Sequence, residues 1–310
     1  MKKTPKIKVV GIGGSGVNAI NRMFKQGITG VELIAINTDA QSLRASPVAN
    51  KVLLGRKATG GLGAGMNVSL GEKAARESYA ELKEALQGAE MVFLTCGLGG
   101  GTGTSGIPIL GEIAKKLDIL TVAVVTLPFS FEGAYRRSVA QAGLRKLSGR
   151  TDTLLTIPND RLLAISTPNS TVQNAFWICD GVLREAVKGI SDLISLPGII
   201  NVDIADLKGV LANSGRAFLG IGKAEGEKRA MVAANQAMVS PLLEFSVKRA
   251  SGILLNIAGG SDLSLAEVNT AATLVKQVVR RGTKIIFGVS EDPTLPSGEL
   301  KVTVIATSSR

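Results

Sequence analysis

The sequence contains no histidine. That absence removes His-based triads, HExxH zinc sites and imidazole general bases together. Only two cysteines are present, Cys96 and Cys179, each inside an apolar segment. They read as free thiols in a reducing compartment, and two distant cysteines without histidine all but exclude structural zinc. Aromatic residues are scarce, with one Trp and two Tyr, which leaves little to stack on nucleic-acid bases. No uncharged apolar run approaches the roughly 18 residues of a membrane span. Met1-Lys2-Lys3 is followed by a glycine-rich turn and not by a signal peptide's apolar stretch. A cytoplasmic protein without direct membrane insertion is expected. Any catalysis falls to carboxylates, amides, backbone dipoles, Lys or Arg, with a bound cation.

Basic residues are in excess, 36 Lys and Arg against 25 Asp and Glu, for a formal charge of +11. They are scattered as pairs such as Lys115-Lys116, Arg136-Arg137, Lys248-Arg249 and Arg280-Arg281, with no block of five. This reads as a solvated basic surface, and no nucleic acid partner is expected. At 310 residues and 45% apolar composition, the chain has room for about two domains and a sizeable core.

Strand-like and helix-like patterns alternate through the first half. Strands are expected at Lys6–Val10, Val31–Ile36, Lys51–Leu54, Met91–Cys96, Ile119–Leu127 and Thr153–Ile157. Helices are expected at Val17–Lys25, Ser69–Leu86, onward from the second glycine loop through Leu117, and at Ala134–Leu147. Continuous apolar strands in βαβ order indicate a parallel sheet covered on both faces, an α/β fold of Rossmann type. Ser170 to Ile194 carries apolar residues at helical spacing, a central helix of about 37 Å at 1.5 Å per residue. Beyond it the pattern predicts helices at Val202–Leu211, Glu225–Met238 and Ser264–Val279. Strands are expected at Gly252–Ala258, Lys284–Val289 and Leu300–Ala306, completing a smaller α+β domain. The expected division is 1–195, including the central helix, and 196–310.

Three glycine-rich loops stand out. Gly11-Ile12-Gly13-Gly14-Ser15-Gly16 lies between strand and helix, where glycines let backbone N–H groups approach a phosphate at a helix N-terminus. Alone it also fits a structural turn or an NAD(P)-dependent Rossmann oxidoreductase, with Asp39 in the place of a ribose-binding acid. Gly97-Leu98-Gly99-Gly100-Gly101-Thr102-Gly103-Thr104-Ser105-Gly106 offers a second anion nest. Gly60-Gly61-Leu62-Gly63-Ala64-Gly65, within a glycine-rich stretch over residues 55–67 that is expected to be a loop, comes between the two. Three such loops suit a triphosphate better than one pyrophosphate, and no G-x-x-x-x-G-K-[ST] P-loop is present.

Gly97–Ser105 resembles the signature loop G-G-G-T-G-[TS]-G of the tubulin/FtsZ family, with Ser105 in place of the final glycine. Gly11–Asn18, Asn37–Gln41, Gly61–Asn67, Pro128-Phe129 with Phe131–Gly133, Ile157–Asp160 and Asn201–Asp206 follow in the order of FtsZ motifs. The resemblance spans residues 6–307. It implies the tubulin/FtsZ fold and a GTPase that polymerises head to tail for bacterial cell division, at the division site. GTP or GDP, with Mg2+, is the implied cofactor. By the same resemblance Gly13, Gly14, Ser15, Gly16 and Asn18 contact the nucleotide. Gly63, Ala64 and Gly65 approach the γ-phosphate, and Gly100, Gly101, Thr102, Gly103 and Thr104 wrap the phosphates. Glu132 and Arg136 lie near ribose and phosphate, although by spacing alone they make a helical i,i+4 ion pair.

Guanine presents two adjacent donors, N1–H and N2–H2, which one carboxylate accepts. Asp180 lies four residues after Phe176 on one helical face, so Phe176 can pack on a purine while Asp180 reads its edge. The resemblance implies this use, with Asn21 and Asn159 as further contacts. An acid in so apolar a stripe needs a partner. In Asn201-Val202-Asp203-Ile204-Ala205-Asp206, Asp203 alone reads as a helix cap. The resemblance implies instead that Asn201, Asp203 and Asp206 complete a neighbour's nucleotide site. No dedicated protein metal site is expected. The chain itself is the implied principal partner. Division proteins and membrane tethers are implied by the family, but its usual C-terminal peptide has no counterpart here. A DNA-segregating tubulin-like filament and a non-hydrolysing scaffold are the remaining alternatives.

Overall fold

Five of the six strands of the first half are largely buried and mostly apolar, as a sheet covered on both faces requires, while the third, Asn50–Leu53, is exposed or half-buried. The six are β1 (Ile7–Ile12), β2 (Glu32–Asn37), β3 (Asn50–Leu53), β4 (Met91–Gly97), β5 (Leu120–Leu127) and β6 (Thr153–Pro158). In the computed structural model, which describes residues 5–163, 171–195, 200, 202–243, 246–292 and 294–308, they pair in parallel in the order β3-β2-β1-β4-β5-β6. The direction of winding reverses between β1 and β4. In such sheets ligands bind outside the carboxyl ends of the strands at that switch point.

Helices α1 (Gly13–Lys25), α2 (Ala40–Ala45), α3 (Arg56–Thr59), α4 (Val68–Glu77), α5 (Tyr79–Leu86), α6 (Thr102–Lys116) and α7 (Ala134–Leu147) connect the strands. The short α8 (Asn159–Leu163) and the long α9 (Val172–Ser195) follow β6. Three local expectations need correction. The single helix expected over 69–86 is two helices, broken where Ser78 leaves helical geometry and its hydroxyl accepts the Gly55 N–H at 3.0 Å. The loop expected over 55–67 contains α3, and the second glycine loop is shorter than its sequence suggests because α6 already begins at Thr102.

Contacts group the chain into Met1–Val187 and Lys188–Arg310. The second unit has four strands, not three: β7 (Gly215–Glu225), β8 (Gly252–Gly259), β9 (Lys284–Glu291) and β10 (Glu299–Thr307). They lie in the order β7-β10-β8-β9, with β10 antiparallel to both neighbours and β8 parallel to β9. Helices α10 (Ile204–Leu211), α11 (Arg229–Met238) and α12 (Leu265–Val278) complete the unit. The residues assigned to a helix from Glu225 onward are the end of β7, a turn, and α11.

Strand β7 is hard to read because Gly220 and Gly222 interrupt its apolar run, and glycine weakens strand propensity. The fold requires both. A Cβ at Gly220 would stand 2.0 Å from Ala237 O, and one at Gly222 2.0 Å from Ala233 O. The alanine face of α11 (Ala230, Ala233, Ala234, Ala237) therefore rests directly on the strand backbone and enters a core with Leu300, Val302, Val304 and Ala306 of β10.

The opposite side of β10 carries Lys301, Thr303 and Thr307 beside a single apolar residue, Ile305. Lys188 Nζ lies 2.7 Å from Asp192 and 3.0 Å from Asp292, and Lys301 Nζ lies 3.3 Å from Asp292. Burial raises the Asp292 carboxyl, but the Thr294 hydroxyl and the two lysines outweigh it and hold the group well below the usual carboxylate range. Among the described residues no helix is long and apolar enough to cross a membrane.

Candidate functional site

The switch point between β1 and β4 opens into a cleft of about 280 Å³. Helix α1 begins at Gly13 straight after β1, with Gly13 at φ +74° and no side chain capping its N-terminus. Its first N–H groups are thus left for an anion. Helix α6 begins the same way after Gly101, again without a side-chain cap. The loop before it is held internally: Thr104 Oγ1 accepts the Gly99 N–H at 2.9 Å, and Ser105 Oγ donates to Gly101 O at 2.7 Å. The two loops touch, since a Cβ at Gly13 would lie 2.8 Å from Gly103 N.

The third loop folds beside them. Gly60, Gly61, Gly63 and Gly65 all have positive φ, and Gly63 N–H donates to Thr38 O at 3.1 Å. Thr38 in turn shares a 2.7 Å hydroxyl hydrogen bond with Thr102. A Cβ at Gly101 would come within 3.0 Å of Ala64 Cβ, so this loop packs against the second.

Of the residues singled out by sequence, Gly13, Gly14, Ser15, Gly100, Gly101, Thr102, Gly103, Glu132, Arg136, Asn159, Phe176 and Asp180 line the cleft. Gly16, Asn18, Asn21, Gly63, Ala64, Gly65 and Thr104 are not among its lining residues. For Gly16 the reason is plain: a Cβ there would meet Thr95 O at 2.6 Å, so this glycine seats α1 on β4. Asn21 is engaged elsewhere, accepting a 2.5 Å hydrogen bond from Ser46 Oγ. Thr104 works behind the loop as its internal tie. Met66, Leu98 and Pro128, which lie within the quoted motifs, also line the cleft, as do Thr126 and Cys179, which only the tertiary fold brings there.

The wall away from the glycine loops is suited to a purine. Phe176 is 39% exposed, which removes it from plain core packing. Its ring meets Phe129 edge-on at 5.4 Å. Glu132 and Arg136 form the i,i+4 ion pair their spacing predicts and still line the cleft, so the two readings of this pair coexist. Asn159 is buried, and its Oδ1 has no hydrogen-bond partner among the described residues. A buried acceptor left unsatisfied is costly, which points to a ligand donor. Asp180 is no solvated acid. Its side chain is 13% exposed and lies 3.1 Å from Arg22 Nε. Burial pushes its carboxyl up to about 6, with Arg22 pulling the other way.

Asn201 lies outside the described residues. Asp203 is the N-cap of α10, its Oδ1 accepting the Asp206 N–H at 2.8 Å, and both acids are exposed. Among the described residues no three His, Cys, Asp or Glu side chains cluster to hold a metal. The cleft offers hydroxyl and backbone oxygens instead. That set fits a hard cation held mainly by ligand phosphates and water.

Residues 6–167 match the tubulin/FtsZ family, GTPase domain, and residues 215–310 match the FtsZ family, C-terminal domain. Among solved structures, an empty FtsZ dimer from M. jannaschii is similar over 99% of this chain and 89% of its own, at 46% identity and a TM-score of 0.95. The FtsZ W319Y mutant of M. jannaschii matches at the same identity and TM-score, covering 92% of that chain. The GTPγS-bound protofilament of CetZ2 from Haloferax volcanii shares the fold, at 24% identity, 98% and 93% coverage and a TM-score of 0.81.

Proposed function

The chain belongs to the tubulin/FtsZ family of GTPases, and on that premise we propose that it stacks head to tail into filaments for cell division, each copy completing the GTP site of the next. The observation that carries the reading is the convergence of three glycine loops on one cleft whose far wall holds Phe176, Asn159 and Asp180. The loops at Gly13–Ser15 and Gly100–Gly103 cradle the phosphates with backbone N–H groups and two uncapped helix N-termini. Asp180 accepts guanine N1–H and N2–H2, Phe176 covers the purine, and Asn159 Oδ1 takes a donor from base or ribose. Asn18 and Asn21 lie on α1, the helix that begins at the first of these loops. Gly63, Ala64 and Gly65 hold the third loop in place near the γ-phosphate.

Phosphoryl transfer needs an aligned water and neutralised charge more than covalent chemistry. Among the described residues no carboxylate other than Asp180 and Glu132 lines the cleft, and Glu132 is committed to Arg136 and to the Phe129 N–H. The acids that position water therefore come from another copy: Asp203 and Asp206, with Asn201 beside them. Mg2+ fits the oxygen-rich phosphate end of the cleft, where it would neutralise phosphate charge. The M. jannaschii relative is a dimer and the CetZ2 relative a protofilament, which supports self-association of this kind. A head-to-tail contact that does not close generates an open filament. The testing experiment is GTP turnover against protein concentration with sedimentation in parallel. A concentration threshold shared by turnover and polymer is expected. Turnover first order in protein down to nanomolar concentration, with no sedimenting polymer, would falsify the shared site.

A further inference from the structure

Arg22 is absent from every motif that the sequence displays, yet it is the ion-pair partner of the acid on the purine wall. It sits on α1, the helix that begins at the first phosphate loop, and it meets Asp180 of α9 at 3.1 Å. Its Nη1 is buried and has no hydrogen-bond partner among the described residues. An ionised carboxylate accepts at about four lone-pair sites. Arg22 pairs with Asp180 at one oxygen, Oδ2, as an ion pair, which leaves acceptor sites for a base edge.

We propose that Arg22 is the positioning residue that keeps Asp180 ionised, and that this ionisation is what selects guanine over adenine. The inference rests on the reading of Asp180 as the base-reading group. An ionised carboxylate is acceptor-only and matches the two adjacent donors of guanine. A protonated one has an O–H donor beside an acceptor. That pair matches adenine, whose N1 accepts and whose N6 amino group donates. The protein's base preference is then set by one proton, and Arg22 holds it off.

The opposing influences on Asp180 can be named. Burial drives the carboxyl toward its neutral form, to about 6, and Arg22 from α1 is the charge that opposes this. Cys179 on the same helix is pushed up to about 12, chiefly by burial, and stays neutral near pH 7. Glu132 and Arg136 line the same cleft but pair with each other. Removing the one opposing cation moves the carboxyl further upward, so a larger share of Asp180 is protonated near neutral pH.

The experiment measures the affinity ratio of GTP to ATP from pH 5 to 8.5, by displacement of a fluorescent GDP from the full chain. The ratio cancels the titration of the phosphates, which both nucleotides share. For the wild type it should be level above pH 7 and fall about tenfold per pH unit below a midpoint near 6. In Arg22→Met the midpoint should rise by at least one unit, lowering the ratio by about twofold or more at pH 7 and by about fivefold or more at pH 6. Arg22→Lys, which restores the charge, should stay within about threefold of wild type. A wild-type ratio flat from pH 5 to 8 overturns the proposal without needing any variant. So does an Arg22→Met profile superimposed on the wild type. Asp180→Ala separates the two layers. If it abolishes the preference while Arg22→Met leaves the profile unmoved, only the role of Arg22 fails; if it leaves the preference intact, the base-reading role of Asp180 fails as well.

Discussion

Gly100→Asp isolates charge from space in the phosphate cradle. Gly100 lines the cleft, its φ is not positive, and a Cβ there meets nothing within 4 Å. Its neighbours are less clean. A Cβ at Gly101 stands 3.0 Å from Ala64 Cβ and Asn67 O, and one at Gly103 stands 3.1 Å from Ile12 O, so substitutions there disturb loop packing as well as ligand. At an effective dielectric of about 20 and a separation of about 5 Å, two like charges repel by about 3 kcal/mol. Against a polyphosphate this corresponds to a loss of about 10²–10³-fold in GTP affinity. Gly100→Ala, which adds bulk without charge, should stay within about threefold. Titration calorimetry with GTP gives the affinities, and thermal unfolding without nucleotide shows that both variants fold like the parent. Gly100→Asp binding GTP within threefold of wild type would refute the anion nest. Gly100→Ala losing as much as Gly100→Asp would refute the charge argument.

The acids after α9 separate by role. Asp203→Asn keeps a good N-cap for α10 and Asp206→Asn leaves the capping N–H in place, so neither should cost more than about 1 kcal/mol in chemical denaturation. Each should nevertheless lower polymer-linked turnover by about 10²-fold or more, with GTP binding unchanged. Turnover within threefold of wild type would remove these residues from catalysis. Gly222→Ala should destabilise the second unit by roughly 1–3 kcal/mol through its collision with Ala233 O, read as a lower denaturation midpoint, and a neutral result would mean α11 yields freely. Glu267 is held at about 2, chiefly by its hydrogen bonds with Arg229. A lowered carboxylate stabilises the fold above its unfolded pKa and loses that contribution as pH falls through the folded value. Stability should therefore decline between about pH 4.5 and 2, less steeply in Glu267→Gln, and parallel acid profiles for the two proteins would contradict the assignment.

How far the molecule was legible from sequence depended on whether a residue's task was local. The glycine loops were legible because strand, glycines and helix follow one another within a dozen residues. Gly16 shows what the motif does not reveal: the backbone of β4 lies where its side chain would be, so this glycine also serves the packing of α1. The Arg22–Asp180 pair joins residues 158 positions apart, and no local pattern encodes it. Asp180's need for a partner was visible, but the identity of that partner was not. Strand β7 escaped because Gly220 and Gly222 look like strand breakers until α11 is seen resting on them. The cap at Asp203 was visible because capping is settled within three residues.

The two faces of β10 carry a further consequence for how the chain avoids misfolding. Leu300, Val302, Val304 and Ala306 point to the apolar core, while Lys301 sits among Asp292 and Lys188 on the other side. Strand side chains alternate with a period of two, so sliding β10 by one residue exchanges the faces. An apolar strand could tolerate that slip at modest cost and linger as a trapped intermediate. This one would drive an ammonium group into a hydrocarbon layer and leave Asp292 facing valine, a penalty of several kcal/mol. Lys301 thus acts as a registration mark. It makes the wrong pairing of a central strand expensive at the moment the sheet assembles, whatever it adds to the finished fold.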